Sequence, residues 1–474
     1  MIKLVKSLMT CGVIVALAGC QMTPVPQMTE PEFEDVTVHD PSVIKDGDEF
    51  YVIGSHMMFA KSSDLMKWEQ VQSSVAEDQL FDDIHKELAN EFEYAQTDTL
   101  WAGDIVQLKD GRYYMYYCFC QGTSPLSVLG VAVSDNVDGP YEKVESFLYS
   151  GTSPQFGETY NATKDPNVID PDVFYDEEGK LWMVYGSYSG GIYIMEMNEE
   201  TGLPKDRDSY GTKLIGGNHS RIEAPYIQYN KDTGYYYLFL SFGGLDSYGG
   251  YNMRVARSKT PNGPYEDSEG NLMSEVMGQP NTTFDDLSIE PFGVKLMGNF
   301  SYTEDDGLSN DGYVSPGHNS VYYDEEKNEY YLIFHTRFLN SGEEHSLRVH
   351  QIWFTEAGWP VVSPLRYGAE KIADYTKNQE AGTYDLISFT KEISDAIVEP
   401  VTVTLEKNGK ITGSQTGTWQ SAEKNTKKDS QVVVDGVNFK GKFISAWDSR
   451  QEAQVMCFTG TSEDGIPVFL VGRK

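Results

Sequence analysis

Strand-length apolar runs broken by glycine turns, a loose fivefold repeat, and a change of pattern after residue 365 predict an all-β chain. The expected architecture is a five-bladed β-propeller over residues 36–365, followed by a small C-terminal β-barrel-like domain over residues 366–474. The runs are rich in Val, Ile, Tyr, Phe and Leu and are separated by Asp-Gly, Glu-Gly, Asn-Gly and Gly-Gly. One short helix is expected around residues 81–93.

Residues 1–19 read as a cleaved leader. Lys3 and Lys6 precede a short apolar stretch that ends in Leu17-Ala18-Gly19-Cys20. That ending resembles a bacterial lipoprotein signal, which implies lipidation at Cys20 and a membrane contact through the lipid alone. Residues 20–35 are polar and Pro-rich, as in a flexible tether.

The first repeat unit opens at Asp40-Pro41-Ser42, turns at Asp46-Gly47 and continues Phe50-Tyr51-Val52-Ile53-Gly54. The second opens at Trp101-Ala102-Gly103-Asp104 and continues through Tyr113-Tyr114-Met115-Tyr116-Tyr117. The third opens at Asp170-Pro171-Asp172 and the fourth at Glu223-Ala224-Pro225-Tyr226. The fifth opens at His318-Asn319-Ser320. Each unit has room for about four strands, which is one propeller blade. Blade-opening strands line the central channel, so residues 40, 104, 170, 223 and 318 are expected to converge near the axis. A two-sheet sandwich would give no reason for such convergence. The unequal spacing of the units implies insertions. The largest, over residues 266–312, is acidic and rich in Gly and Asn, and is expected between the fourth and fifth units.

The formal net charge of −35 argues against a nucleic-acid partner, which would require clustered Lys and Arg. The 31 tyrosines suit both a β-rich core and a sugar-binding surface, with core packing the default. Trp101, Phe119 and Tyr188 are the aromatic residues that could serve as sugar platforms. Cys118, Cys120 and Cys457 have no partner pair at zinc-ligand spacing and read as buried thiols. The oligomeric state is not legible.

Convergent carboxylates suit acid/base hydrolysis of a glycosidic bond, in which one group protonates the leaving oxygen while another activates water. The segments His39-Asp40-Pro41, Ile169-Asp170-Pro171 and Glu223-Ala224-Pro225-Tyr226, in that order, resemble glycoside hydrolase family 43. The resemblance spans residues 36–365. It implies an inverting reaction with Asp40 as general base, Glu223 as general acid and Asp170 as the residue that tunes and orients the acid. Gly312-Tyr313-Val314-Ser315-Pro316-Gly317-His318-Asn319 and the C-terminal β-domain narrow it to the endo-acting α-1,5-L-arabinanases. Arabinan is then the implied polysaccharide substrate. His318 becomes the residue beside one calcium ion near the axis, although Ca²⁺ ordinarily prefers oxygen ligands. The alternatives are an exo-acting α-L-arabinofuranosidase or β-xylosidase of the same family, or a glycan-binding surface lipoprotein without turnover. Asp104 shares the unit position of the three acids and is a candidate substrate contact. Asp172 is expected to face the same side as Asp170, and His39 to point away from Asp40.

Overall fold

The computed structural model describes residues 25, 27–77, 79–151, 156, 158–303 and 311–474. The leader and Cys20 lie outside the described residues. Among the described residues no helix is long and apolar enough to cross a membrane.

Five antiparallel sheets follow one another along the chain, each built from consecutive strands. They span residues 42–72, 101–149, 172–215, 222–297 and 300–362 and form the five blades. The first four sheets have four strands and the fifth has five. Two short helices, Ile84–Glu87 and Ala89–Ala95, fill the connection between the first two blades. The Tyr-rich runs form second strands, such as Tyr113–Cys120, buried along its whole length. This accounts for much of the tyrosine excess: Tyr116, Tyr117, Tyr185, Tyr237 and Tyr331 are all buried core residues.

The large insertion lies inside the fourth blade, not after it. The third strand of that blade ends at Ser258, and the fourth is the short run Val294–Met297. Four apolar-rich residues suffice for an outer strand, and so short a run carries little periodic signal.

Two neighbouring blades close the ring. The backbone carbonyl of Val36 accepts from the amide of Leu347, 3.0 Å away, and from the hydroxyl of Ser346 at 3.0 Å. Val36, Val38 and Val52 share one core cluster with Tyr331, Ile333 and Val349, joining the first and fifth blades. The segment just before the first blade is docked rather than free. Glu34 bridges to Lys67, Asp35 pairs with Arg348 and Arg366, and the Met28 amide donates to Gln454 at 3.1 Å.

Eight antiparallel strands, from Gly382–Ser388 to Pro467–Gly472, form a closed barrel in which the first pairs with the last. Alternation along each strand divides the side chains into two sets. Leu386, Phe443, Phe458 and Val468 fill the barrel. Their neighbours Ile387, Ile444, Cys457 and Phe469 face outward into a core shared with Phe300, Tyr313 and Trp353 of the propeller. The barrel is thereby seated on the fourth and fifth blades.

Candidate active site

Asp40, Asp170, Glu223 and His318 line a single cavity of about 430 Å³. Trp101, Ser187, Tyr188, His219, Leu245 and Phe284 are also in its wall. The local backbone brings the four together. Asp40 (φ 58°), Asp170 (φ 55°), Ala224 beside Glu223 (φ 55°) and His318 (φ 46°) mark a left-handed residue at each of these four blade entries. The ladder slips at Glu223/Tyr226 and on both sides of Gly317. Such bulges re-aim side chains, and strained non-glycine residues cluster where function over-determines them.

The same kinks overturn two expectations based on strand alternation. His39 turns back onto its neighbour, with Nδ1 2.8 Å from Asp40 Oδ2. Asp172 leaves the cavity and accepts the amide of Ile227 at 2.7 Å. Asp104 is not a cavity residue either. It accepts from the hydroxyl of Ser42 at 2.6 Å and from the amide of Val173 at 2.8 Å. Ser42, Asp104 and Asp172 therefore pin consecutive blades to one another. Burial raises the carboxyls of both Asp104, to about 6, and Asp172.

Asp40 is enclosed by donors. Its Oδ2 accepts from Ser55 as well as meeting His39, its Oδ1 lies 2.9 Å from His318 Nδ1, and its amide donates to His335 Nδ1 at 3.1 Å. The ring of His335 stacks on that of His39 at 4.1 Å. Burial alone would raise the Asp40 carboxyl, but His318 and His39 outweigh it and hold the group well below the usual carboxylate range. His318 responds in the opposite sense. Burial disfavours its charge, yet Asp40 and Asp170 carry it up to about 9.

Glu223 accepts from Ser187 at 2.8 Å and from the phenol of Tyr251 at 2.9 Å. Burial is the main cause raising its carboxyl, with the charge of Asp40 adding to it and His318 opposing. Desolvation thus leads, ahead of the charge of any neighbouring carboxylate. Asp170 accepts the amide of Ala224 at 3.1 Å and so holds the entry to the Glu223 strand. Burial first, then Glu223 and Asp40, push its carboxyl to about 8 against the opposing charge of His318.

Sequence reasoning missed the residues that hold these groups. Ser187 of the third blade bonds Glu223 of the fourth, and Ser241 of the fourth accepts the amide of His318 in the fifth at 2.8 Å. His335 of the fifth accepts the amide of Asp40 in the first. All three stand within two residues of the end of a second strand, so the repeat itself contained the signal. Of the three proposed platforms, Trp101 and Tyr188 line the cavity, whereas Phe119 is fully buried against Phe92 and Tyr117. The thiols of Cys118, Cys120 and Cys457 are free and buried.

His39, Asp40 and His335 each place one metal-type donor atom within 4.8 Å of the others. His335 Nδ1 is already engaged with an amide, so this trio is a hydrogen-bonded set. His318 uses Nδ1 on Asp40, which leaves Nε2 as its remaining nitrogen on a ring that lines the cavity.

Residues 34–286 match the model of glycosyl hydrolases family 43, and residues 364–470 match that of a C-terminal lipocalin-like domain. The extracellular endo-α-(1→5)-L-arabinanase 2 of Bacillus subtilis (strain 168) is 53% identical over 443 residues, covering 93% of this chain and 94% of its own. The extracellular endo-α-(1→5)-L-arabinanase of Thermotoga petrophila is 45% identical over 453 residues, with the same two shares. A crystal structure of a family 43 glycoside hydrolase from Bacillus licheniformis superposes with a TM-score of 0.90 at 52% identity, covering 94% of this chain and all of the other.

Proposed function

The chain belongs to glycosyl hydrolase family 43, and from that premise we propose that it cleaves α-1,5-L-arabinofuranosidic bonds within arabinan chains outside the cell. The observation that carries this reading is the pairing of opposed carboxyls in one cavity: Asp40 lowered well below the usual carboxylate range by histidines and Glu223 raised above it by burial. Kinship over nearly the full length with two extracellular endo-arabinanases supports the substrate and the place of action.

Asp40 serves as general base, taking a proton from the water that attacks the anomeric carbon. Glu223 serves as general acid, delivering its proton to the departing oxygen as the bond breaks. The reaction inverts the anomeric centre. Asp170 orients the acid through the Ala224 amide. Digestion of linear arabinan is expected to release a ladder of oligomers. Arabinose alone would identify an exo-acting enzyme, and cleavage confined to xylo-oligosaccharides would sink the arabinan reading.

The donors at the axis fit a calcium ion. His318 Nε2 would hold it in place of the proton that Asp40 and Asp170 favour on that ring, the ionised Asp40 in the same cavity favours a cation, and water would supply the remaining oxygen ligands that Ca²⁺ prefers. When bound, the ion would supply fixed positive charge beside the acids. Chelation is expected to lower the rate on linear arabinan and calcium to restore it, while His318→Ala should abolish calcium binding in calorimetry. Binding retained in that variant would move the ion elsewhere. Lipidation at Cys20 remains part of the proposal, supported by the Leu-Ala-Gly-Cys leader.

A further inference from the structure

The insertion in the fourth blade presents an aromatic residue to the solvent at the cavity wall. Phe284 is 51% exposed and lines the cavity, as does Leu245, 36% exposed. Leu287 and Tyr248, at 77% and 80% exposure, stand on the same two loops. A single exposed apolar residue means little, but a group of them at the edge of a functional cavity marks a contact surface.

Phe284 is held firmly in this exposed position. Its φ of 59° lies in the left-handed region, which a bulky aromatic residue seldom adopts. Its amide donates to the carbonyl of His219 at 3.3 Å, and its own carbonyl accepts from Asp286 at 3.0 Å. The Arg221 guanidinium grips Asp286 through Nε at 3.0 Å and through Nη2, and lies 5.9 Å from the Phe284 ring centroid. On another side the ring meets Tyr188 edge-to-face at 5.6 Å. Gly244 of the opposite loop is packed against Arg221 so closely that a Cβ there would come within 2.5 Å of Nη1. The two loops are thus locked together, and the exposed part of the ring is ordered before any ligand arrives.

The position relative to the acid indicates which part of the substrate lands there. Tyr188 directly follows Ser187, the partner of Glu223, and its phenol donates to Gly243 O at 3.2 Å. Phe284 therefore stands on the side of the cavity where a leaving group would be protonated. A furanose ring presents a C–H face that packs on an aromatic face without requiring charge. We propose that Phe284, with Leu245 beside it, is the platform for the arabinofuranosyl unit on the leaving-group side of the cleaved bond. This rests on the arabinan reading above.

The test compares linear arabinan with α-1,5-L-arabinotriosyl fluoride, whose leaving group has no ring to pack. Phe284→Ala is expected to lower kcat/KM on arabinan about ten- to a hundredfold, mostly through KM, and to leave the fluoride rate within about twofold. Phe284→Tyr should restore most of the loss. An unchanged arabinan rate in Phe284→Ala would overturn the proposal, and so would an equal loss on both substrates, which would indicate a structural role. A wild-type enzyme inactive on both substrates would instead overturn the arabinan reading, and the platform with it.

Discussion

Replacing Glu223 with Gln is expected to lower turnover of linear arabinan by about 10²- to 10⁴-fold, the range associated with a positioned general acid. Gln fills nearly the same volume; Ser187 and Tyr251 hold the two oxygens of the native carboxyl at 2.8 and 2.9 Å, and in the variant the amide oxygen accepts from one hydroxyl while the NH2 group donates to the other. The fold should persist, with a melting curve close to that of the wild type. What disappears is the proton. Burial raises the Glu223 carboxyl, so the wild-type acid stays protonated above the ordinary carboxylate range. The rate is therefore expected to fall on the alkaline side as pH climbs through that raised value, because the acid loses its proton. Reducing-end release across a pH series, run on both proteins, checks both statements. Near-full activity in Glu223→Gln would remove Glu223 from the mechanism.

Asp40, Asp170 and Glu223 were legible because each opens a repeat unit close to a proline, and repetition converts three weak signals into one strong one. Asp104 shows where that logic fails. It pairs with Tyr116, two residues before Cys118, just as Ser42 pairs with Ile53, two residues before Ser55. In blade register Asp104 thus matches Ser42, and its task is to pin blades together. An offset of two residues keeps the side chain on the same strand face, so periodicity alone could not expose it. His39 and Asp172 went astray for a different reason. Left-handed residues at 40 and 170 interrupt the strand, and although Asp adopts that conformation more readily than most residues, it does so too seldom for an Asp in the sequence to mark the kink. The closed barrel followed from its strand-length runs, but its seat on the propeller depends on outward residues such as Ile387 and Phe469, which look like any other core residue in sequence. Phe284 lies in an aperiodic insertion, where only the folded loops show that it stays exposed.

Replacing Arg254 with Met is expected to cost about 3–5 kcal/mol of stability, because it strips the donor from several buried carbonyls at once. Arg254 is fully buried in the third strand of the fourth blade, over the ring of Phe242 at 4.6 Å. Nε donates to Asn252 Oδ1 at 2.8 Å. Nη1 donates to the carbonyls of Glu290 and Phe292 at 2.5 and 2.6 Å, and Nη2 to that of Lys391. Burial pulls its pKa down to about 9, which still leaves it charged at neutral pH. One guanidinium therefore ties the insertion and the connection between the first two barrel strands onto a single blade strand. Lys295 extends the tie, donating to the carbonyls of Thr390 and Glu392 at 2.8 and 3.0 Å. Methionine would leave three carbonyls without their donor in a dry site, at roughly 1–3 kcal/mol each before relaxation. Lysine should recover only part of the loss, since a compact ammonium cannot span a planar fork of acceptors. The consequence extends to the acid. Ser394, in the same barrel connection, packs against Gly250 so tightly that a Cβ there would lie 2.7 Å from its amide nitrogen. The next residue is Tyr251, which holds Glu223. Loosening this connection should therefore reduce arabinan turnover at denaturant concentrations below those that unfold the chain. Denaturation followed by both fluorescence and activity would separate the two effects, and coincident transitions with wild-type stability would show that the barrel does not depend on this contact.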